Sequence, residues 1–93
     1  MSNPLESWQE EQRSAFLYRV CAEAETGATR AELFRRLAGE AEAQAAIWRA
    51  QLTARGRAAP APYEPDARTR FVATLVRKLG PRRVKSVLAA MKV

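Results

Sequence analysis

Apolar residues recur at helical spacing on both sides of Gly27, and this pattern constrains the fold more than any other feature. Before the glycine, one stripe follows Trp8, Ala15, Tyr18 and Ala22. After it, a second stripe follows Leu33, Phe34, Leu37, Ala41, Ala45, Trp48 and Leu52. Residues three and four apart share one face of an α-helix. The pattern predicts helices over about 5–25 and 30–54, joined by a short connection as an antiparallel hairpin.

Residues at the helix ends and the overall composition agree with this pattern. Gly27 is expected to end the first helix and Gly56 the second. Thr29 and Glu32 have the spacing of a capping box, in which the hydroxyl accepts an amide hydrogen bond and the carboxylate reaches back. Helix-forming residues dominate, and glycine occurs only 4 times among 93 residues. We therefore expect one all-α unit.

The remainder of the chain divides into a linker and a second helical segment. Residues 56–65 contain three prolines and are predicted to form an extended linker between the hairpin of residues 1–55 and the segment 66–93. A third helix is predicted to begin near Pro65–Asp66 and to carry on one side Phe71, Val72, Leu75 and Leu79. Gly80–Pro81 predicts a helix end and a restart. The last short helix would then hold Val84, Val87, Leu88 and Met91.

Residue types that the chain lacks exclude several functions. It has no histidine, which is the commonest general base and transition-metal ligand. It also has no glycine-rich phosphate loop. The single cysteine, Cys21, lies on an apolar helical face and is interpreted as a buried structural residue. We assign no catalytic residue, and the absence of a secretory signal pattern makes the cytoplasm the expected location.

Positive charge is concentrated in the C-terminal third. The chain has a formal net charge of +6. Within residues 66–93 the only carboxylate side chain is that of Asp66. Such asymmetry predicts an anionic partner, either nucleic acid or an anionic membrane surface, and the alternative is a solvated basic face. The candidate binding residues are Arg68, Arg70, Arg77, Lys78, Arg82, Arg83 and Lys85.

Two glutamates fall on the apolar stripe of the first helix. Glu11, Tyr18 and Glu25 are spaced by seven residues. Carboxylates on such a stripe are costly unless they are paired or bind a cation, and di-iron bundles place glutamates in this way. Alternatively, Glu11 and Glu25 lie at the edge of the stripe and reach water. Periodicity alone favours the solvated arrangement.

A family resemblance is carried by Glu11, Tyr18 and Glu25, together with Arg30–Phe34, Leu37–Ala38 and Trp48. The segment Trp8–Leu52 resembles the rubrerythrin-type ferritin-like domain at the N-terminus of some vacuolar iron transporter family proteins. Pro62–Lys92 resembles the connector that leads from that domain towards membrane helices. The resemblance implies a ferritin-like hairpin completed to a bundle by dimerisation. It also implies a role in iron or manganese handling at the cytosolic face of a membrane, beside a transporter domain or as a fragment of a longer chain.

The chain departs from this family pattern at the metal ligands. Family members carry a glutamate on the first helix, which Glu11 matches, and a Glu-x-x-His motif on the second. That motif falls on Ala41 and Gln44. Alanine cannot bind a metal, and glutamine is a weak neutral ligand for iron. We therefore expect no ferroxidase activity and no resident cofactor, with iron or manganese only if a residual site at Glu11 binds one.

Two alternatives remain. The first is a small basic helical interaction or nucleic-acid-binding module that uses the cationic residues of the C-terminal third. The second is a metal site built between subunits from four oxygen ligands, which would favour Mn²⁺ or Ca²⁺ over oxygen chemistry. Its ligands would be Glu11, Glu25, Glu42 and Gln44.

Overall fold

The computed structural model describes residues 3–84 and contains three long helices. They are α1 (Pro4–Ala24), α2 (Ala28–Ala54) and α3 (Ala67–Leu79). Residues 81–84 form a further helical turn, and no strand occurs within the described range. The predicted all-α class is confirmed. None of the helices in residues 3–84 is long and apolar enough to span a membrane. Lys85, Val87, Leu88 and Met91 lie outside the described residues.

Short polar side chains cap the starts of α1 and α3. Asn3 Oδ1 accepts a hydrogen bond of 2.8 Å from the Glu6 amide. Pro4 follows in the first helical turn, where its missing N–H has no partner to lose. Asp66 Oδ1 accepts a bond of 2.8 Å from the Thr69 amide. The start of α3 therefore lies within two residues of its predicted position.

The capping box predicted at Thr29 and Glu32 is wrong. The helix N-cap is Gly27, whose extended backbone has φ −84° and ψ 122°, so Thr29 already lies inside the first helical turn. Glu32 instead pairs with Arg35 on the helix surface, at 3.1 Å. Gly27 has no side chain to cap the helix. Its own amide donates a 3.0 Å hydrogen bond to Oε1 of Glu25 in the connection.

α1 and α2 lie antiparallel, since residues late in α1 contact residues early in α2. The rings of Tyr18 and Phe34 have centroids 6.5 Å apart. Arg19, the next residue of α1, donates from Nε to Oε1 of Glu42 near the middle of α2, at 2.9 Å. The residues that α2 buries are mostly alanines, which allow the two helices to approach closely. We call the set of Ala31, Ala38, Ala41 and Ala45 the alanine seam.

α3 packs mainly against α1 and builds the main apolar core. We call this core the valine cluster, made of Val20, Cys21, Val72, Ala73, Val76 and Val84. The predicted apolar side of α3 is partly wrong, because Phe71 is 61% and Leu79 46% exposed. The helix has two overlapping apolar stripes. The stripe with the smaller side chains, which includes Ala73 and Val76, is the one that α1 covers.

The linker runs back beside the start of α1. Residues 57–66 have no regular secondary structure. The rings of Tyr63 and Trp8 meet edge to face, with centroids 6.5 Å apart and planes at 76°. α2 ends shortly before Gly56, whose φ of 76° lies in the left-handed region that favours glycine. The predicted end of this helix is therefore confirmed.

Candidate functional site

An open groove runs along one side of the junction between α1 and α2. We call it the α1–α2 groove. It is lined from α1 by Glu11, Ser14 and Tyr18, and from α2 by Leu37, Glu40, Ala41 and Gln44.

Helical spacing explains why these side chains meet. On α1 the lining residues are three and four apart, and on α2 they follow the same repeat, so each set forms one face. Because the helices are antiparallel, Glu11 in the first half of α1 shares the groove with Gln44 in the second half of α2. Ala41 lies on the same wall and is 6% exposed. The position matched to a glutamate and the one matched to a histidine therefore line the same groove as Glu11.

Glu40 also lines the α1–α2 groove. The helical repeat puts it about 100° from Ala41, so its carboxylate does not substitute for a glutamate at position 41. The donors along the groove are thus the carboxylates of Glu11 and Glu40, the amide of Gln44 and two hydroxyls. Such oxygen donors suit hard cations rather than iron redox chemistry. Within residues 3–84, no three histidine, cysteine or acidic side chains are grouped closely enough to hold a metal ion.

The four predicted metal ligands are divided over three places in one chain. Glu11 and Gln44 share the α1–α2 groove. Glu42 bonds to Arg19 on the helix surface. Glu25 lies in the connection after α1, where its side chain is only 4% exposed. A site that joins all four stays a prediction for an assembly of several chains.

Glu25 has a structural setting that sequence reasoning missed. Its Oε1 accepts the Gly27 amide and lies 3.8 Å from a guanidinium nitrogen of Arg82. The buried carboxylate therefore connects the turn between α1 and α2 with the turn that follows α3. A carboxylate two residues before a glycine N-cap was the only signal in the sequence. The second partner is 57 positions away in the chain and could not be inferred locally.

Cys21 is buried in the valine cluster, as the sequence predicted. Burial raises the pKa of its thiol, and the negative charge of Glu25 raises that pKa further. A thiol in this setting is protonated at neutral pH and reacts slowly, because the thiolate is the nucleophile.

The predicted anion-binding residues within the described range are exposed cations on α3 and the turn after it. They are Arg68, Arg70, Arg77, Lys78, Arg82 and Arg83. Arg82 is the one that forms an ion pair within residues 3–84, with Glu25. The seventh candidate, Lys85, lies outside the described residues. The cations are distributed around α3, so they form a basic surface rather than a closed pocket.

Comparisons with protein-family models, with curated proteins and with solved structures found no match to this chain.

Proposed function

We propose that this chain is a ferritin-like helical domain that takes part in iron or manganese handling in the cytoplasm without ferroxidase activity. The observation that supports it is the register across the α1–α2 groove. Glu11 shares this groove with Ala41 and Gln44, which occupy the positions of the Glu-x-x-His motif in the family that the sequence resembles. A methyl group and a neutral amide stand where two ligands are needed, so the domain acts as a scaffold.

The sharpest test restores the motif. We expect Ala41→Glu combined with Gln44→His to gain stoichiometric binding of Mn²⁺ or Co²⁺, measured by calorimetry and by the visible absorption of Co²⁺. Adding Glu11→Ala should abolish the gain. Because Gln44 is exposed, Gln44→His alone is a milder variant that adds a nitrogen ligand beside Glu11 and Glu40.

A matched control places the same motif elsewhere on α2. Ala43 and Ala46 are both exposed and also three residues apart. Ala43→Glu with Ala46→His should gain no comparable site. Equal metal binding by the two motif variants would overturn the proposal, and so would tight metal binding by the unaltered chain that depends on Glu11.

The exposed apolar residues of α2 support assembly with a second copy. Leu33 is 53% and Ile47 52% exposed, and the helical repeat places both on the side of α2 that borders the α1–α2 groove. Two such hairpins facing each other would form a four-helix bundle and cover these side chains. We expect a dimer by sedimentation, and a monomer for Leu33→Gln with Ile47→Gln. The double variant Phe71→Gln with Leu79→Gln is the control that should stay dimeric.

A further inference from the structure

The outer side of α3 carries a second apolar stripe that the fold leaves open. We call it the α3 ridge: Phe71, Leu75 and Leu79, spaced by four residues. Phe71 and Leu79 are 61% and 46% exposed, and Leu75 is half-buried against the valine cluster. Residues four apart stand in one row along a helix, so these three side chains form a continuous strip.

Cations border the α3 ridge along its length. By the 3.6-residue repeat, Arg68 and Lys78 fall on the same side as Phe71 and Leu75. Arg70 and Arg77 lie on the adjoining flank, and all four cations are exposed. The described residues give none of the four a salt bridge. α3 itself contains no carboxylate, and that of Asp66, just before it, caps the helix start.

The combination of exposed apolar side chains and unneutralised cations selects the partner. Nucleic-acid phosphates would attract the cations but would leave the leucines of the ridge uncovered, and Phe71 offers just one ring for stacking. An anionic bilayer satisfies both, because acyl chains receive the apolar strip while headgroup phosphates meet the cations. At 13 residues, α3 is about 20 Å long, too short to cross the bilayer but able to lie in its surface.

We propose that α3 docks on an anionic lipid surface, with the α3 ridge inserted at the headgroup boundary and Arg68, Arg70, Arg77 and Lys78 contacting lipid phosphates. The inference goes beyond the proposed function and does not depend on a ferritin-like origin. It requires only that α3 keeps its packing on α1, which covers the adjoining side of the helix through Val72 and Val76.

Vesicle binding by the whole chain tests this. We expect the protein to co-sediment with phosphatidylcholine vesicles that contain phosphatidylserine and not with pure phosphatidylcholine. Arg77→Gln with Lys78→Gln should weaken binding about fivefold per cation removed. Arg49→Gln with Arg57→Gln removes two exposed cations from other parts of the chain and should have a much smaller effect.

The apolar contribution is tested separately. Phe71→Gln with Leu79→Gln should weaken vesicle binding by roughly tenfold, because both side chains leave water on docking. Phe71→Leu with Leu79→Met keeps the ridge apolar and should retain binding. A Phe71→Trp variant should shift its emission to the blue on anionic vesicles and be quenched by brominated lipid.

Three results would overturn the proposal. One is the absence of binding to anionic vesicles at low salt. Another is vesicle binding that weakens in the charge variant but is unchanged in Phe71→Gln with Leu79→Gln. That result would indicate attraction to any polyanion. The third is tighter, ridge-independent binding to duplex or single-stranded nucleic acid, which would assign the basic surface to that partner instead.

Discussion

The two interfaces of α1 are built from different residues. Towards α2 it meets the alanine seam, whose small side chains leave room for the helices to approach closely. Towards α3 it meets the valine cluster, in which Val76 and Val84 are fully buried. The seam consists of four alanines between residues 31 and 45, whereas four of the six residues of the cluster are valines. The first interface should therefore be sensitive to added volume and the second to lost volume.

The two proposed sites lie near different interfaces of α1. The α1–α2 groove includes Ala41 of the alanine seam, and the exposed leucine and isoleucine of α2 border that groove. The α3 ridge lies on α3, on the exposed side next to the stripe that completes the valine cluster. α1 contributes to both interfaces, so changes at each can be compared within one molecule.

Enlarging the seam should have the largest effect. Ala45 is fully buried, and Ala45→Leu should lower the free energy of unfolding by about 3 kcal/mol, because the added side chain forces the helices apart. Ala46→Leu, one position along on the exposed face, is the matched control and should change it by less than about 0.5 kcal/mol. Urea denaturation measures both. Equal effects would mean that the seam is loosely packed and is not especially sensitive to added volume.

Truncating the valine cluster should come next. Val76→Ala should cost about 2 kcal/mol, from the lost apolar burial and the cavity left behind. It should also speed labelling of Cys21, since opening of the cluster exposes that thiol. Leu79→Ala on the same helix is half-exposed and should cost far less. If both variants unfold at the same denaturant concentration, α3 contributes little to the core.

Removing the buried carboxylate of Glu25 should lower the free energy of unfolding by a smaller amount, through a loss of contacts at both interfaces. Glu25→Ala leaves the Gly27 amide without its acceptor and Arg82 without its partner, so we expect a loss of about 1–2 kcal/mol. Glu23→Ala, an exposed neighbour, is the control. Glu25→Gln should in addition lower the pKa of the Cys21 thiol, measured by pH-dependent alkylation, because the negative charge that raises it is gone. An unchanged thiol pKa would contradict this placement.

The smallest effect should be a pH dependence confined to α3. The hydrogen bonds from Thr69 lower the pKa of Asp66 below its ordinary value of 3.8. A carboxyl with a lowered folded-state pKa stabilises the fold above its unfolded pKa, and this contribution is lost as the pH falls through the lowered value. Asp66→Asn keeps a capping acceptor but cannot titrate, so it should flatten the acid side of the stability profile. If Asp66→Asn and the unaltered chain lose stability identically as the pH falls, the assigned cap is contradicted.

Local signals predicted most of the secondary structure. The periodic stripes and Gly56 located α1 and α2 to within about two residues. The capping box failed because Thr29 and Glu32 matched a motif that depends on backbone angles at the preceding residues. There the extended conformation of Gly27 set the helix start. The resemblance to a ferritin-like domain, rather than spacing, brought Glu11, Ala41 and Gln44 into one hypothesis, and these residues line one groove.

The sequence by itself determined that the chain is helical, where its helices run, and that its positive charge is concentrated at one end, because these properties depend on residues near each other in the chain. Which stripe of α3 is buried was decided by tertiary packing. Phe71 and Leu79 are as apolar as Val72 and Val76, and only contact with α1 separates the two sets. The partnership of Glu25 with Arg82 likewise required the fold, because it joins residues that no local pattern connects.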